Sequence, residues 1–227
     1  MTAIGIKCEE ALSTERANFV SIADVIPDAI LDIRYYTTFN FVGERISSYE
    51  APIAYLCKDA ALALKKVSDE LKAIGYRIKI YDAYRPQSAV DHFIRWAEDT
   101  DATEMKAYFY PDVDKADLFE LGYIAKKSEH SRGAAVDLTI VDIVTGAEVD
   151  MGCGFDFFSE VAHSYHTAGL TAEQIDNRAI LRRAMMANGF LPNPDEWWHY
   201  RLEKEPYPDR YFDFPITKNM RCQAATV

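Results

Sequence analysis

An α+β fold, a mixed sheet with flanking helices, is predicted by three features of this 227-residue chain. Segments at 77–82 and 135–140 alternate apolar and polar side chains as strands do, other segments carry apolar residues at helical spacing, and glycine or proline punctuates them. Residues 57–74 place Leu64, Val67, Leu71 and Ile74 on one helical face, and Gly75 follows as a stop. The alternating run 77–82 comes next. Pro86 suits the first position of a second helix carrying Val90, Phe93, Ile94 and Ala97, which leaves Arg85 in a strand-to-helix turn. The acid-rich stretch 99–117, with Pro111 inside it, predicts a loop or short helix whose charges form a solvated surface.

Farther along, Val136, Leu138 and Ile140 share one strand face and Ala135, Asp137 and Thr139 the other, so Asp137 points away from the apolar face. Residues 157–166 look helical, with Asp156 placed to cap them, and His163 and His166 on that run read as surface residues. Thr171 and Gln174 form a capping box that opens a helix through Ile175, Ala179 and Met186 to near Gly189. Pro192 and Pro194 argue against a helix leading into Glu196, and the aromatic run 197–202 reads as a strand.

Length and a hydrophobic content of 49% fit one domain over 1–227, with about 1–20 an N-terminal extension and 216–227 a C-terminal tail. Acidic residues outnumber basic ones 36 to 25, and the net charge of −11 opposes both nucleic-acid phosphates and anionic membranes. No apolar run approaches a membrane span, and Met1 to Thr14 lacks the basic start and hydrophobic stretch of an export signal. The cytoplasm is the expected location, with the periplasm left open for a chain whose signal has been removed. Cys8, Cys57, Cys153 and Cys222 lie far apart, so they predict neither a thiolate metal site nor a redox pair, although an even count permits disulfides.

One pattern carries chemistry. The run S-E-H-S-R-G-A-A-V-D over 128–137, followed by E-W-W-H over 196–199, offers His130, Asp137 and His199 as three ligands of the type a catalytic zinc takes, one Zn2+ per chain. Glu196 is left over as a base. Gly133 lets the chain turn sharply between His130 and the strand, bringing both ligands onto one ion. On a regular strand Glu196 and His199 would face opposite sides, so a bend at Asp195-Glu196 is expected. Each half alone has a plainer reading: a polar hairpin rim for the first, a core histidine among aromatics for the second. Together they favour the metal, and the pair reads as a zinc hydrolase.

S-x-H-x-x-G-x-A-x-D paired with E-x-W-H resembles the zinc D-alanyl-D-alanine peptidases, a superfamily that also includes lysostaphin-type endopeptidases and the hedgehog signalling domain. Within it the chain is similar to the VanX-type dipeptidases of vancomycin resistance from about Ile33 to Pro215, through Y-Y-T-T-F-N-F at 35–41, Y-D-A-Y-R-P at 81–86, G-F-D-F at 154–157 and Y-F-D-F-P at 211–215. The resemblance implies a mainly antiparallel central sheet with the zinc site in a cleft on it, and hydrolysis of the small dipeptide D-alanyl-D-alanine. It assigns Arg85 to the oxyanion, where a structural salt bridge is the plainer alternative. Asp156 and Tyr35 are assigned to the substrate's ammonium and Ser128 to its carboxylate, though Ser128 could equally cap the turn presenting His130. Asp82 is a candidate support for the arginine turn. Two other functions stay open at this point: a D,D-carboxypeptidase trimming peptidoglycan stem peptides, and a non-catalytic zinc module of the hedgehog kind.

Overall fold

The computed structural model describes residues 18–218. Its strands are β1 (Phe19–Ser21), β2 (Ile30–Leu31), β3 (Tyr55–Cys57), β4 (Tyr76–Asp82), β5 (Ala135–Asp142), β6 (Phe190–Pro192) and β7 (His199–Leu202). Its helices are α1 (Ile22–Val25), α2 (Lys58–Ala73), α3 (Gln87–Glu98), α4 (Lys106–Phe109) and α5 (Ala172–Ala187). Strands β1 and β3 pair as a small antiparallel ribbon, and the main sheet runs β2-β4-β5-β7-β6. Only the β2–β4 pairing in that sheet is parallel, so the fold is α+β with a mainly antiparallel centre, as expected. Among the described residues no helix is long and apolar enough to cross a membrane.

Strand β5 sits mid-sheet and is buried on both faces from Ala135 to Val141, Asp137 included. Helix α2 packs on β4 and against α5, which covers β6. Register delivers the polar groups. A shift in the β4–β5 ladder between Ile80 and Asp82 sets Asp82 opposite Asp137, and the β5–β7 ladder sets Asp137 opposite His199. Three polar residues from three adjacent strands therefore lie in one row across the sheet. Pro192, which has no N–H to donate, lies on the edge strand β6.

Several expectations need correction. Helix α5 opens with the predicted Thr171–Gln174 capping box but buries Asn177, Arg178, Leu181, Ala184 and Met185, while Met186 is exposed. Periodicity misses this face because two of its members are polar. Asn177 donates to Asp150 O at 2.9 Å, and Arg178 to Met151 O at 2.6 Å and His163 O at 3.1 Å. Residues 157–166 hold only a 3-10 turn at Glu160–Ala162, because the backbone is tied elsewhere: Phe158 N to Phe109 O and Ser164 N to Pro194 O. Asp156 thus caps no helix. Pro86 precedes α3 as its cap rather than beginning it. In the acidic stretch Lys115 is buried, donating to the carbonyls of Asp99 and Ala102 beside the Trp96 ring.

The ends of the fold also differ from the expected extension and tail. Phe19 and Val20 belong to β1, and buried Ile216 bridges to Tyr49. Cys57 and Cys153 are free thiols, whereas Cys8 and Cys222 lie outside the described residues.

Gly133 is required twice over. Its φ of +78° is left-handed, and an added Cβ would stand 2.3 Å from Phe19 Cε1. That ring cannot easily yield, being wedged against Tyr84, Phe212 and Phe214 at centroid distances of 5.1 Å each. Left-handed strain of about 1–2 kcal/mol and overpacking of about 1–3 kcal/mol add in Gly133→Ala. Urea unfolding of this variant is expected to show a loss of about 2–5 kcal/mol, and an unchanged midpoint would refute the account.

Candidate active site

The turn carrying His130 is built by its neighbours. Ser128 caps the 3-10 segment Glu129–Arg132 by accepting from His130 N at 3.2 Å, and Gly133 ends it. His130 Nδ1 then lies 2.6 Å from Ala83 O, which makes it the hydrogen-bearing nitrogen and aims Nε2 inward. There Nε2 meets His199 Nδ1 at 3.0 Å and Asp137 Oδ2 at 3.2 Å, while Asp137 Oδ1 is 3.0 Å from His199 Nδ1. The three ligand atoms lie within 4.8 Å of one another and all three residues are buried.

This donor set fits a metal ion. Ligands about 2.0–2.2 Å from a tetrahedral ion stand a little over 3 Å apart, close to the spacing seen. Each ring spends its hydrogen through its outward nitrogen, His130 Nδ1 on Ala83 O and His199 Nε2 on Glu129, so two lone pairs and a carboxylate converge in a buried space that only a cation or shared protons can satisfy. In the metal-free protein protons take that role. Burial alone would raise the Asp137 carboxyl, but His130 and His199 hold it well below the usual range. Burial would lower His199, yet Asp137 and Glu129 push it up to about 10. Partial burial acts to raise Glu129 too, but His199, Arg201 and Arg132 bring it to about 2.

Glu196 arrives by a different turn from the one expected. The chain bends at Pro194 and Asp195, then closes a turn through Trp197 and Trp198 in which His199 N donates to Glu196 O at 3.2 Å. The result puts Glu196 Oε2 3.8 Å from His199 Nδ1, outside the donor set. Its side chain is 33% exposed, enough to meet water. Burial and the Asp137 charge raise its carboxyl above the ordinary value against the pull of His199.

Arg85 forms the salt bridge of its plainer reading while lining the pocket. Its Nε donates to Asp82 Oδ2 at 2.9 Å and its Nη2 reaches Asp137 Oδ2 at 3.4 Å, with the guanidinium over the Tyr35 ring at 5.0 Å. Asp82 is fixed in turn by the Tyr49 hydroxyl at 2.6 Å. Asp156 is buried with φ +58°, and its Oδ2 accepts from the Tyr35 hydroxyl at 2.9 Å. Burial and the nearby Asp137 raise its carboxyl well above the usual range, which Arg85 only partly offsets.

His130, Asp137, His199, Glu196, Arg85, Asp156, Tyr35 and Ser128 all line one pocket of about 190 Å³. Glu129 and Asn193 line it as well and were not singled out from the sequence. Asn193 Nδ2 donates to Glu196 Oε2 at 3.2 Å while its Oδ1 accepts from Asp195 N, an Asn-Pro turn whose signal is local. Glu129 stands inside the motif itself, as an acid flanking a ligand.

Buried imidazoles converging with a carboxylate, beside a further acid and a guanidinium, define the type of centre that metal-dependent hydrolases use. A family model described as D-ala-D-ala dipeptidase matches residues 15–217. The D-alanyl-D-alanine dipeptidase of Enterococcus faecalis is 40% identical over 200 residues, covering 88% of this chain and 98% of the relative. The proteins of that name from Streptomyces coelicolor and Enterococcus faecium are 37% and 38% identical, covering 88% and 87% of this chain and 98% of each relative. The chain belongs to the D-Ala-D-Ala dipeptidase family, a family of metallopeptidases.

Proposed function

We propose that this protein hydrolyses D-alanyl-D-alanine to two D-alanines with one Zn2+ held by His130 Nε2, Asp137 and His199 Nδ1. Bound there, zinc would supply a Lewis acid and a water acidic enough to ionise near neutral pH. Glu196 accepts a proton from the attacking water and returns it to the departing amine. Arg85, braced by Asp82, faces the oxygen on which charge develops, where a guanidinium helps the transition state more than the ground state. Asp156 and Tyr35 hold the substrate ammonium, and Ser128 stands near its carboxylate. Free Cys57 and Cys153 thiols suit the reducing cytoplasm, the compartment we assign.

The observation that supports the dipeptide reading is Asp156: a buried carboxylate lining the pocket, whose hydrogen bond comes from a neutral phenol and which suits the free ammonium of a dipeptide. An amine-release assay with zinc present tests it. D-Ala-D-Ala is expected to be cleaved, and L-Ala-L-Ala and a stem pentapeptide to be poor substrates. Preference for the pentapeptide would overturn the reading.

Metal loading is expected to release about one proton per chain at pH 7, because His199 must give up the proton that its raised value retains. The sign follows from the shift. His199 rises from 6.5 to about 10, so that proton's stabilising contribution in the metal-free protein is complete below 6.5 and lost as pH climbs toward 10. Zinc affinity should therefore weaken about tenfold for each unit of falling pH in this window. Calorimetry in two buffers of different ionisation enthalpy measures the proton, and zero release would contradict the site.

A further inference from the structure

We propose that Glu129 is a positioning residue for the metal centre: its carboxylate decides which ring nitrogen of His199 is left to ligate and strengthens that nitrogen as a donor. The inference rests on the metal reading above and concerns a residue outside the donor set. The two nitrogens of His199 have different surroundings. Nδ1 faces His130 Nε2 and Asp137, whereas Nε2 lies 3.1 Å from Glu129 Oε2. An ionised carboxylate only accepts, so Nε2 carries the hydrogen and the Nδ1 lone pair points inward. His130 is wired the opposite way, with Nδ1 on Ala83 O and Nε2 inward. The two imidazoles thus enter the donor set through different nitrogens, each choice made by one acceptor on the far side of the ring.

The acceptors differ in strength. Ala83 offers His130 a neutral carbonyl at 2.6 Å, with the Asp82 carboxylate farther off at 3.7 Å, while Glu129 offers His199 a charged acceptor at 3.1 Å, and a directly bonded charge raises ligand basicity more. Glu129 is held for this task. Its Oε1 is ion-paired with Arg201 Nε at 3.1 Å and accepts from Arg132 Nη2 at 3.3 Å, and Arg132 is clamped by both oxygens of Glu205 at 2.6 Å. Glu205 is itself nearly buried, with 6% of its side chain exposed. A row of alternating charge thus backs His199 from the side away from the metal. Glu129 opens the turn that carries His130 while Arg201 lies on β7 with His199, so one acid couples both histidine-bearing elements.

The test compares wild type, Glu129→Ala and Glu129→Gln in zinc affinity by competition with a chromogenic chelator, in visible absorption of the cobalt-substituted proteins, and in thermal unfolding without metal. Glu129→Ala is expected to weaken zinc binding by about 10–100-fold and to shift the cobalt absorption. Glu129→Gln keeps an acceptor for the ring hydrogen but not the charge, and is expected to fall between wild type and alanine. If the alanine variant does not fold, the glutamine variant decides alone. A lowered unfolding temperature with zinc affinity and cobalt absorption unchanged would mean a merely structural role and overturn the proposal. Wild type that binds no zinc would sink the metal reading and this one with it, whereas tight wild-type binding matched by both variants overturns the role of Glu129 only.

Discussion

Glu196→Ala is expected to keep its metal and its fold while turnover falls by about 10²–10⁴-fold, the usual worth of a positioned acid–base group. The expectation follows from where the carboxylate stands: 3.8 Å from His199 Nδ1 yet outside the donor set, and open to water over a third of its side chain. Burial and Asp137 raise its carboxyl, bringing it nearer the protonation balance a proton carrier needs. Glu196→Gln, which can keep the contact with Asn193, should be impaired as severely, because it cannot take a proton. His199→Ala should lose the metal instead. Steady-state kinetics and elemental analysis on the same preparations separate the two outcomes. A Glu196→Ala enzyme with near-normal kcat would send the search for the base elsewhere.

Acetylating the substrate amine is expected to reduce kcat/KM by two to four orders of magnitude. On the proposed reading the substrate ammonium pairs with Asp156, which is buried against Tyr35 and lifted well above the usual carboxylate range by burial and the nearby Asp137. Leaving such a charge unmatched costs about 3–5 kcal/mol, and each 1.36 kcal/mol is about tenfold in rate. The acetyl group also adds bulk to a pocket of about 190 Å³. Asp156→Asn should narrow the gap between free and acetylated dipeptides, chiefly by harming the free one. Equal rates on both substrates with the wild-type enzyme would favour a carboxypeptidase.

How much of this is legible in the sequence depends on how local each cause is. Strands β4 and β5 and helices α2, α3 and α5 are readable because their periodicity lies within one segment. Strands β1, β2, β3 and β6 are two or three residues long, too short to show a period. The buried face of α5 is hidden because Asn177 and Arg178 are polar yet answer carbonyls of Asp150 and Met151. At the site, residue type alone points to His130, Asp137, His199 and Glu196. Which ring nitrogen faces inward is not readable, since it depends on Ala83 O and Glu129, partners 47 and 70 positions away. The turn that lets Glu196 share a side with His199 is anchored by Trp197 N on Ala162 O, again a distant contact.

The support behind the His130 turn bears on what the site needs besides its ligands. Phe212 N donates to Ser131 O, Gln87 N donates to Phe212 O, and Phe214 stacks on Tyr84 at 4.4 Å. Of these residues, Phe212 and Phe214 are synthesised after every ligand. Metal binding is therefore linked to the packing of a segment that follows the last ligand in the chain, rather than to the presence of the ligands alone.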